Sequence, residues 1–347
     1  MKNTLWEQTE AVLLTSPHNL QYFTGFTGGE GLGLLTERET VLFVDSRYTE
    51  SAKHEVKNTQ VLEFSGKNKK ELLSSYLQNY ASVGYEDEDM TVAEFSVIKE
   101  YCSSGEWIGV SGQLSKIRMI KTEEELSYLC KAESIGVSAL SKVIPMIHIG
   151  VTEFEIAAEL EYQMRKLGGE GTSFEIIAVS GYRSGFPHGK PSEKKLESGD
   201  FLTLDFGCIY HGYCSDMTRT FGIGKLSEEQ IRIYDTVKKA QEAGLSAIKA
   251  GVSGKDADQS ARAVIENAGY GKYFGHSLGH GVGLLIHELP NLSPMSEVIL
   301  QSNMVVTCEP GIYIPDLGGV RIEDMVCVTE DGIENMTAFS KELLILG

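Results

Sequence analysis

Asp205, Asp216, His280, Glu309 and Glu323 are the residues of this chain best suited to chemistry. They offer hard oxygen donors and one imidazole, a donor set that suits divalent cations. The carboxylates come in two pairs, and each pair flanks a plausible β-turn. Four carboxylates held close together repel strongly unless cations neutralise them. Two divalent metal ions are the simplest neutraliser, and the chemistry they imply is metal-dependent hydrolysis.

The spacing supports one shared site. Asp205 lies in Phe201-Leu-Thr-Leu-Asp-Phe-Gly207 and Asp216 in Tyr213-Cys-Ser-Asp-Met-Thr-Arg-Thr-Phe221, both strand-like runs. With Tyr210-His211 as the loop tip, the two aspartates become direct cross-strand partners on one sheet face. Glu309 and Glu323 are symmetric about Asp316, inside the turn-forming segment Pro315-Asp-Leu-Gly-Gly319. Like charges directly opposite each other destabilise a hairpin, so two such pairs call for a cation. As solvated hairpin charges they would lack that compensation.

The elements that must position these residues are also legible. Up to about residue 118, short strand-like runs alternate with helical stretches. The strands are Ala11–Leu14, Leu32–Leu35, Val41–Val44, Val61–Phe64, Ser82–Tyr85 and Trp107–Val110, with helices such as Lys70–Tyr80 and Val92–Tyr101 between them. This is the pattern of an α/β layer domain, residues 1–118. At Lys121 the texture changes. Thr122 and Glu125 form a capping box before a long helix with apolar Leu126, Leu129, Ile135, Leu140 and Val143, which opens a second domain, 119–347.

That second domain repeats itself. Gly150-Val-Thr152 returns as Gly251-Val-Ser253, 101 residues on, and the helices they open close at Gly168 and Gly269, again 101 apart. A long helix precedes each, over 122–146 and 227–249, the latter with Ser227 and Gln230 as a capping box. The unit of helix, helix, strands and hairpin is used twice, each copy carrying one carboxylate pair. The expected class is α/β followed by α+β, the latter with a pseudo-twofold axis.

Composition narrows the partners. The 347 residues are 41% hydrophobic and 23% charged, with a formal charge of −18. That balance disfavours nucleic acid and anionic membrane surfaces, which reward basic patches. No run approaches the roughly 20 apolar residues of a membrane span. The start, Met1-Lys-Asn-Thr-Leu-Trp-Glu7, does not read as a signal peptide. Six cysteines without a CxxC pair read as reduced thiols, and a cytoplasmic location is expected. Cys208, Cys214 and Cys308 read as small core residues rather than ligands.

Leu204-Asp-Phe-Gly207, Ser215-Asp-Met-Thr-Arg219, Gly279-His-Gly-Val-Gly283, Glu309-Pro-Gly-Ile-Tyr313 and Arg321-Ile-Glu-Asp324 together resemble the motifs of the pita-bread metallopeptidases. The first domain resembles the creatinase-type N-terminal domain of Xaa-Pro peptidases, with Asn19-Leu-Gln-Tyr-Phe-Thr-Gly25 similar to its early motif. The resemblance implies that Asp205 ligates one metal, that His280 and Glu309 ligate the other, and that Asp216 and Glu323 bridge them. It implies a bridging water or hydroxide as nucleophile and Glu309 as proton shuttle. The donor set suits Mn²⁺ and admits Co²⁺ or Zn²⁺. A homodimer is also implied.

The same resemblance makes His188 a substrate-side histidine, His287 the stabiliser of a tetrahedral oxyanion and His276 a wall of the proline pocket. Arg321 either orients a ligand or lines that pocket. An isolated histidine is usually structural, and His18, His54, His148 and His211 carry no such support. Lys67–Glu71 and Lys190–Lys195 read as solvated surface.

The activity implied is cleavage of the bond before proline in proline-containing peptides. Two versions compete, an aminopeptidase P acting on longer peptides and a prolidase restricted to Xaa-Pro dipeptides. Where similar prolidases often carry arginine after a His-Glu-Xaa-Pro segment, His287-Glu-Leu-Pro290 is followed here by Asn291. A neutral amide cannot replace a guanidinium in gripping a carboxylate, which tilts the expectation toward aminopeptidase P. The N-terminal domain argues against a methionine aminopeptidase, and the full ligand set against a creatinase or a non-catalytic module on this fold.

Overall fold

The computed structural model describes residues 5–102 and 105–347, which fall into two compact units, 1–118 and 119–347. The first unit holds a six-stranded sheet of order β4-β3-β2-β1-β5-β6. Its strands are β1 Ala11–Leu14, β2 Leu32–Thr36, β3 Thr40–Asp45, β4 Gln60–Phe64, β5 Ser82–Tyr85 and β6 Glu106–Gly109. Helices α1 Pro17–Thr24, α2 Thr49–Glu55, α3 Lys69–Leu77, α4 Val92–Lys99 and α5 Ser111–Arg118 cover it.

Alternation along β1 shows why this unit has three layers. Val12 and Leu14 join one apolar cluster with Leu20 of α1, Ala52 of α2 and Leu114 of α5. Ala11 and Leu13 point the other way, into a cluster with Leu73 of α3 and Ile98 of α4. A strand buried on both faces reads as a continuous apolar run, as Ala-Val-Leu-Leu does. Glu86, fully buried, accepts hydrogen bonds from the Ser16 and Thr15 amides ahead of α1 and from Asn19 Nδ2. It thereby fixes the segment that leads into the helix. Its oxygens are already occupied, which weighs against reading His18, Glu86 and Asp89 as a cation site.

The second unit contains α6 Glu123–Val143, α7 Glu153–Lys166, α8 Glu228–Ala247 and α9 Gly254–Asn267. Thr122 and Glu125 cap α6 reciprocally, as Ser227 and Gln230 cap α8. Its first half adds β7 Gly171–Thr172, β8 Ile177–Ser180, β9 Phe201–Phe206, β10 Cys208–Tyr210, β11 Tyr213–Cys214 and β12 Met217–Ile223. The second adds β13 Gly279–Gly281, β14 Glu288–Leu292, β15 Val305–Cys308, β16 Gly311–Ile314, β17 Gly318–Arg321, β18 Asp324–Val328 and β19 Ile333–Asn335, before a final β20 Ile345–Leu346. The main sheets run β20-β12-β9-β8 and β14-β13-β15-β18-β19.

The duplication reaches individual hydrogen bonds. Gly150 N donates to Leu196 O and Gly251 N to Leu300 O, both at 2.9 Å; Leu196 N donates to Val151 O and Leu300 N to Val252 O, both at 2.8 Å. Each half closes its own core. Ile135, Leu160, Leu204, Phe206 and Phe221 pack in the first; Ile233, Val237, Ile265, Val306 and Ile322 pack in the second. Each such side chain contributes about 1.5–3 kcal/mol by leaving water.

Buried polar groups join the halves. Glu323 N donates to Thr218 O at 3.1 Å, and Thr220 Oγ1 to Arg321 O at 2.9 Å. Arg219, almost fully buried, donates to Asp324 Oδ1 at 2.7 Å and to the Phe339 and Ser340 carbonyls. Asp324 also accepts from Gln241, Asn335 and Lys341, so that both charges sit in a satisfied network.

Candidate metal centre

The two hairpins deliver their carboxylates differently. In the second, Gly311 pairs with Arg321 and Cys308 with Asp324, which leaves Glu309 and Glu323 opposed in the gap between two ladders. The turn is built as its residues demand, with Asp316 at φ 62° and Gly318 at φ 118°.

In the first hairpin the expected pairing of Asp205 with Asp216 is not found. Asp205 faces Thr218 and Tyr210 faces Tyr213, a register displaced by two residues. The tip is His211-Gly212, with φ 50° and 77°, and positive φ at both central residues matches the right-handed twist of a two-residue hairpin. A displacement of two keeps every side chain on its face, so Asp216 still joins Asp205. The ladder breaks beside it at Gly207, where a Cβ would lie 1.7 Å from Ser215 O; no other residue fits that approach.

His280 sits at the centre of β13, directly opposite Asn291 on β14. Its Nδ1 faces Gly281 O at 3.1 Å, which turns Nε2 toward Asp216 Oδ2 at 3.5 Å and Glu309 Oε1 at 3.4 Å. Oxygens of Asp216 and Glu323 and a ring nitrogen of His280 lie within 4.8 Å of one another. Thr218 Oγ1 donates to Glu323 Oε2 at 2.7 Å, and Thr307 Oγ1 to Glu309 Oε1 at 3.2 Å. These threonines carried no role in the sequence reading, although Thr218 lies inside Ser215-Asp-Met-Thr-Arg219.

Arg321 is held by four partners. Its Nη2 donates to Asp205 Oδ2, its Nε to Thr218 Oγ1 at 3.1 Å, and its Nη1 to Tyr313 Oη at 2.6 Å and Pro187 O at 3.3 Å. Tyr313 Oη also lies 2.9 Å from His276 Nε2. Sequence reasoning missed this buried tyrosine, because an aromatic inside a strand reads as core.

Burial pushes the carboxyls of Asp216 and Glu323 well above the usual range, and the neighbouring carboxylates push them further. Burial also raises Asp205, against the pull of Arg321. Glu309 differs: burial would raise it, but the hydrogen bond and charge of His280 hold it down to about 2. Asp205 Oδ1 and Glu323 Oε1 are buried and have no hydrogen-bond partner among the described residues. Buried carboxyl oxygens left without a partner, in a site that also holds an imidazole nitrogen, are what a divalent cation would satisfy. The residues therefore fit the metals inferred from the sequence.

All nine residues singled out from the sequence line one cleft of about 490 Å³, namely Asp205, Asp216, His280, Glu309, Glu323, His188, His287, His276 and Arg321. His287 packs edge-on against His280, ring centroids 4.4 Å apart. Asn291 lines the same cleft, as do Phe174, Ile176, Ile177 and Ile286, an apolar wall that the sequence reading did not identify. Lys190, read as solvated surface, is exposed but lines the cleft as well, two residues after His188.

The model of metallopeptidase family M24 matches residues 127–330, and that of the creatinase/prolidase N-terminal domain matches residues 6–120. The chain belongs to metallopeptidase family M24. Its members most similar to this chain include an Xaa-Pro dipeptidase of Pyrococcus furiosus, 40% identical over 96% of this chain and 95% of that one. A solved Xaa-Pro dipeptidase from Bacillus anthracis superposes with a TM-score of 0.94 at 43% identity, covering 97% and 95% of the two chains. An X-Pro aminopeptidase from Thermotoga maritima gives 0.93 at 38%, covering 99% and 100%. The M24 chain described here is accordingly a metal-dependent exopeptidase, with the creatinase-type domain followed by the pita-bread domain. No helix among its described residues is long and apolar enough to cross a membrane.

Proposed function

We propose that this M24 peptidase hydrolyses the bond between an N-terminal residue and a following proline. The observation that carries the reading is the convergence of five ligand-type side chains and three histidines on one cleft, in a chain 43% identical to an Xaa-Pro dipeptidase. In this reading Asp205, Asp216, His280, Glu309 and Glu323 hold two divalent cations, with Mn²⁺ the best match to the donors. When bound, the cations supply Lewis-acid charge at the scissile carbonyl and lower the pKa of water.

The protein's own groups do the rest. Glu309, ionised and facing the cleft, takes the proton of the attacking water at its carboxylate and returns it to the leaving proline nitrogen. Thr307 Oγ1 holds that carboxylate in place. His287 and His188 stand on the open side of the cleft, both exposed, where His287 donates to the oxyanion and His188 orients the substrate. His276, fixed by Tyr313, walls the proline ring.

Of the two versions, we favour the dipeptidase. The expectation of an aminopeptidase P rested on Asn291 alone, and relatives at 40% and 43% identity carry the name Xaa-Pro dipeptidase. A homodimer belongs to the same proposal. The test is hydrolysis by the Mn²⁺-loaded protein of Xaa-Pro, Xaa-Pro-Yaa-Zaa and an Xaa-Ala control. Cleavage of Xaa-Pro well above the control supports the reading; equal rates on Xaa-Pro and Xaa-Ala would sink it.

A further inference from the structure

An Xaa-Pro dipeptide carries a free carboxylate on its proline, and the cleft needs a cation to meet it. Among the described residues, and apart from histidines, the cationic side chains lining the cleft are Arg321 and Lys190. Arg321 is buried and its donors are committed to Asp205, Thr218, Tyr313 and Pro187. Using it for substrate would strip a buried carboxylate of its partner. Asn291, opposite His280, is neutral.

Lys190 is placed differently. Its Nζ lies 2.6 Å from Glu175 Oε2, and the two side chains are 74% and 63% exposed. Both line the cleft. An exposed pair of this kind contributes about 0–1 kcal/mol, so exchanging Glu175 for another carboxylate costs little. A lysine ammonium on a flexible stem acts as a point charge and needs no bidentate geometry.

The backbone beneath it is braced. Arg183 Nη2 donates to Lys190 O at 2.5 Å, while Arg183 Nε donates to Glu153 Oε2 at 3.1 Å. Glu153, fully buried in the first turn of α7, also accepts from Ser192 Oγ at 2.6 Å and from the Ser180 amide at 2.7 Å. One buried carboxylate thus ties down both ends of the segment that presents His188 and Lys190.

We infer that Lys190 grips the free carboxylate of an Xaa-Pro dipeptide, which displaces Glu175 as its partner. The inference rests on the Xaa-Pro reading above. It makes Lys190 the determinant of substrate length that Asn291 does not provide.

The test compares three substrates of the Mn²⁺-loaded full chain, an Xaa-Pro dipeptide, its C-terminal amide and Xaa-Pro-Yaa-Zaa. Lys190→Met is expected to raise KM for the dipeptide about tenfold with kcat little altered, the signature of a lost uniform binding contact. The amide, which has no carboxylate, is expected to move far less. Lys190→Arg should retain the dipeptide preference, and Glu175→Gln should lower the dipeptide KM. Added salt should weaken the dipeptide more than the amide. Equal changes in dipeptide and amide, or no change in either, would overturn the inference. Wild-type protein that cuts Xaa-Pro-Yaa-Zaa but not the dipeptide would overturn it and leave the Xaa-Pro reading standing. Inertness toward all three would overturn both.

Discussion

Thr218 Oγ1 donates to Glu323 Oε2 at 2.7 Å, so a hydroxyl from the first half of the duplicated domain holds a carboxylate of the second. The same oxygen accepts from Arg321 Nε at 3.1 Å, and Thr218 faces Asp205 across the β9–β12 ladder. One threonine therefore couples three groups of the site. Thr218→Val keeps the shape and removes both hydrogen bonds. It should lower metal affinity or kcat/KM by about 10–100-fold, as loss of groups that orient ligands does. Calorimetric titration with Mn²⁺ alongside initial rates checks this, and Thr218→Ser should recover most of the loss.

Arg321→Lys should not be conservative. Lysine cannot reach Asp205, Thr218, Tyr313 and Pro187 together with one ammonium. Asp205 would keep its burial and lose its fork, and Tyr313 would lose one of its two partners. We expect a fall in kcat/KM of at least about 100-fold, since truncating one side of a buried charged pair costs about 3–5 kcal/mol. Steady-state rates at saturating Mn²⁺ measure it; less than a threefold loss would show that the fork is dispensable.

Much of the site was legible in the sequence, for identifiable reasons. Glu309 and Glu323 could be paired because Pro315-Asp316-Leu317-Gly318-Gly319 announces its turn. Asp205 and Asp216 were mispaired because His211-Gly212 is a weaker turn signal than Asn-Gly. The face survived the error because side chains alternate with period two. Tyr313 and Thr218 escaped notice because their roles depend on partners 103 and 105 residues away for Thr218, Arg321 and Glu323, and on His276 for Tyr313. Lys190 looked like ordinary surface because a charge run gives no hint that its first member borders a cleft. In the first domain β1 through β6 stood out as short strand-like runs, and α3 and α4 as the helical stretches Lys70–Tyr80 and Val92–Tyr101 between them.

Glu133, outside the proposed ligand set, gives a pH dependence of stability. It is fully buried on α6, accepts from Thr337 Oγ1 at 2.6 Å, and burial pushes its carboxyl up to about 7. Between the ordinary carboxylate range and that value the folded protein keeps a proton that the unfolded chain has released. Stability attributable to Glu133 therefore falls as pH rises through this window and is level above it. Glu133→Gln should leave stability nearly unaltered near pH 4 and raise it by up to ~3 kcal/mol at pH 8. Urea midpoints of both proteins across that range check the sign.

Lys121 and Glu288 form a buried ion pair at 2.6 Å, with side chains 1% and 4% exposed. Glu288 follows His287 directly and opens β14, so the pair anchors the strand that faces His280. Lys121→Ala should destabilise the protein by about 3–5 kcal/mol, because it takes the cation of this ion pair away from a buried carboxylate. Chemical denaturation measures the loss. The double variant Lys121→Met with Glu288→Leu should recover much of it.

The most direct measurement is metal stoichiometry, taken together with Xaa-Pro turnover, for the wild-type chain and Asp216→Ala. Two divalent cations per wild-type chain are expected. Asp216→Ala, which lacks one of the five proposed ligands, should hold at most one and show no measurable turnover. An Asp216→Ala protein that holds two cations and turns over at the wild-type rate would contradict the account.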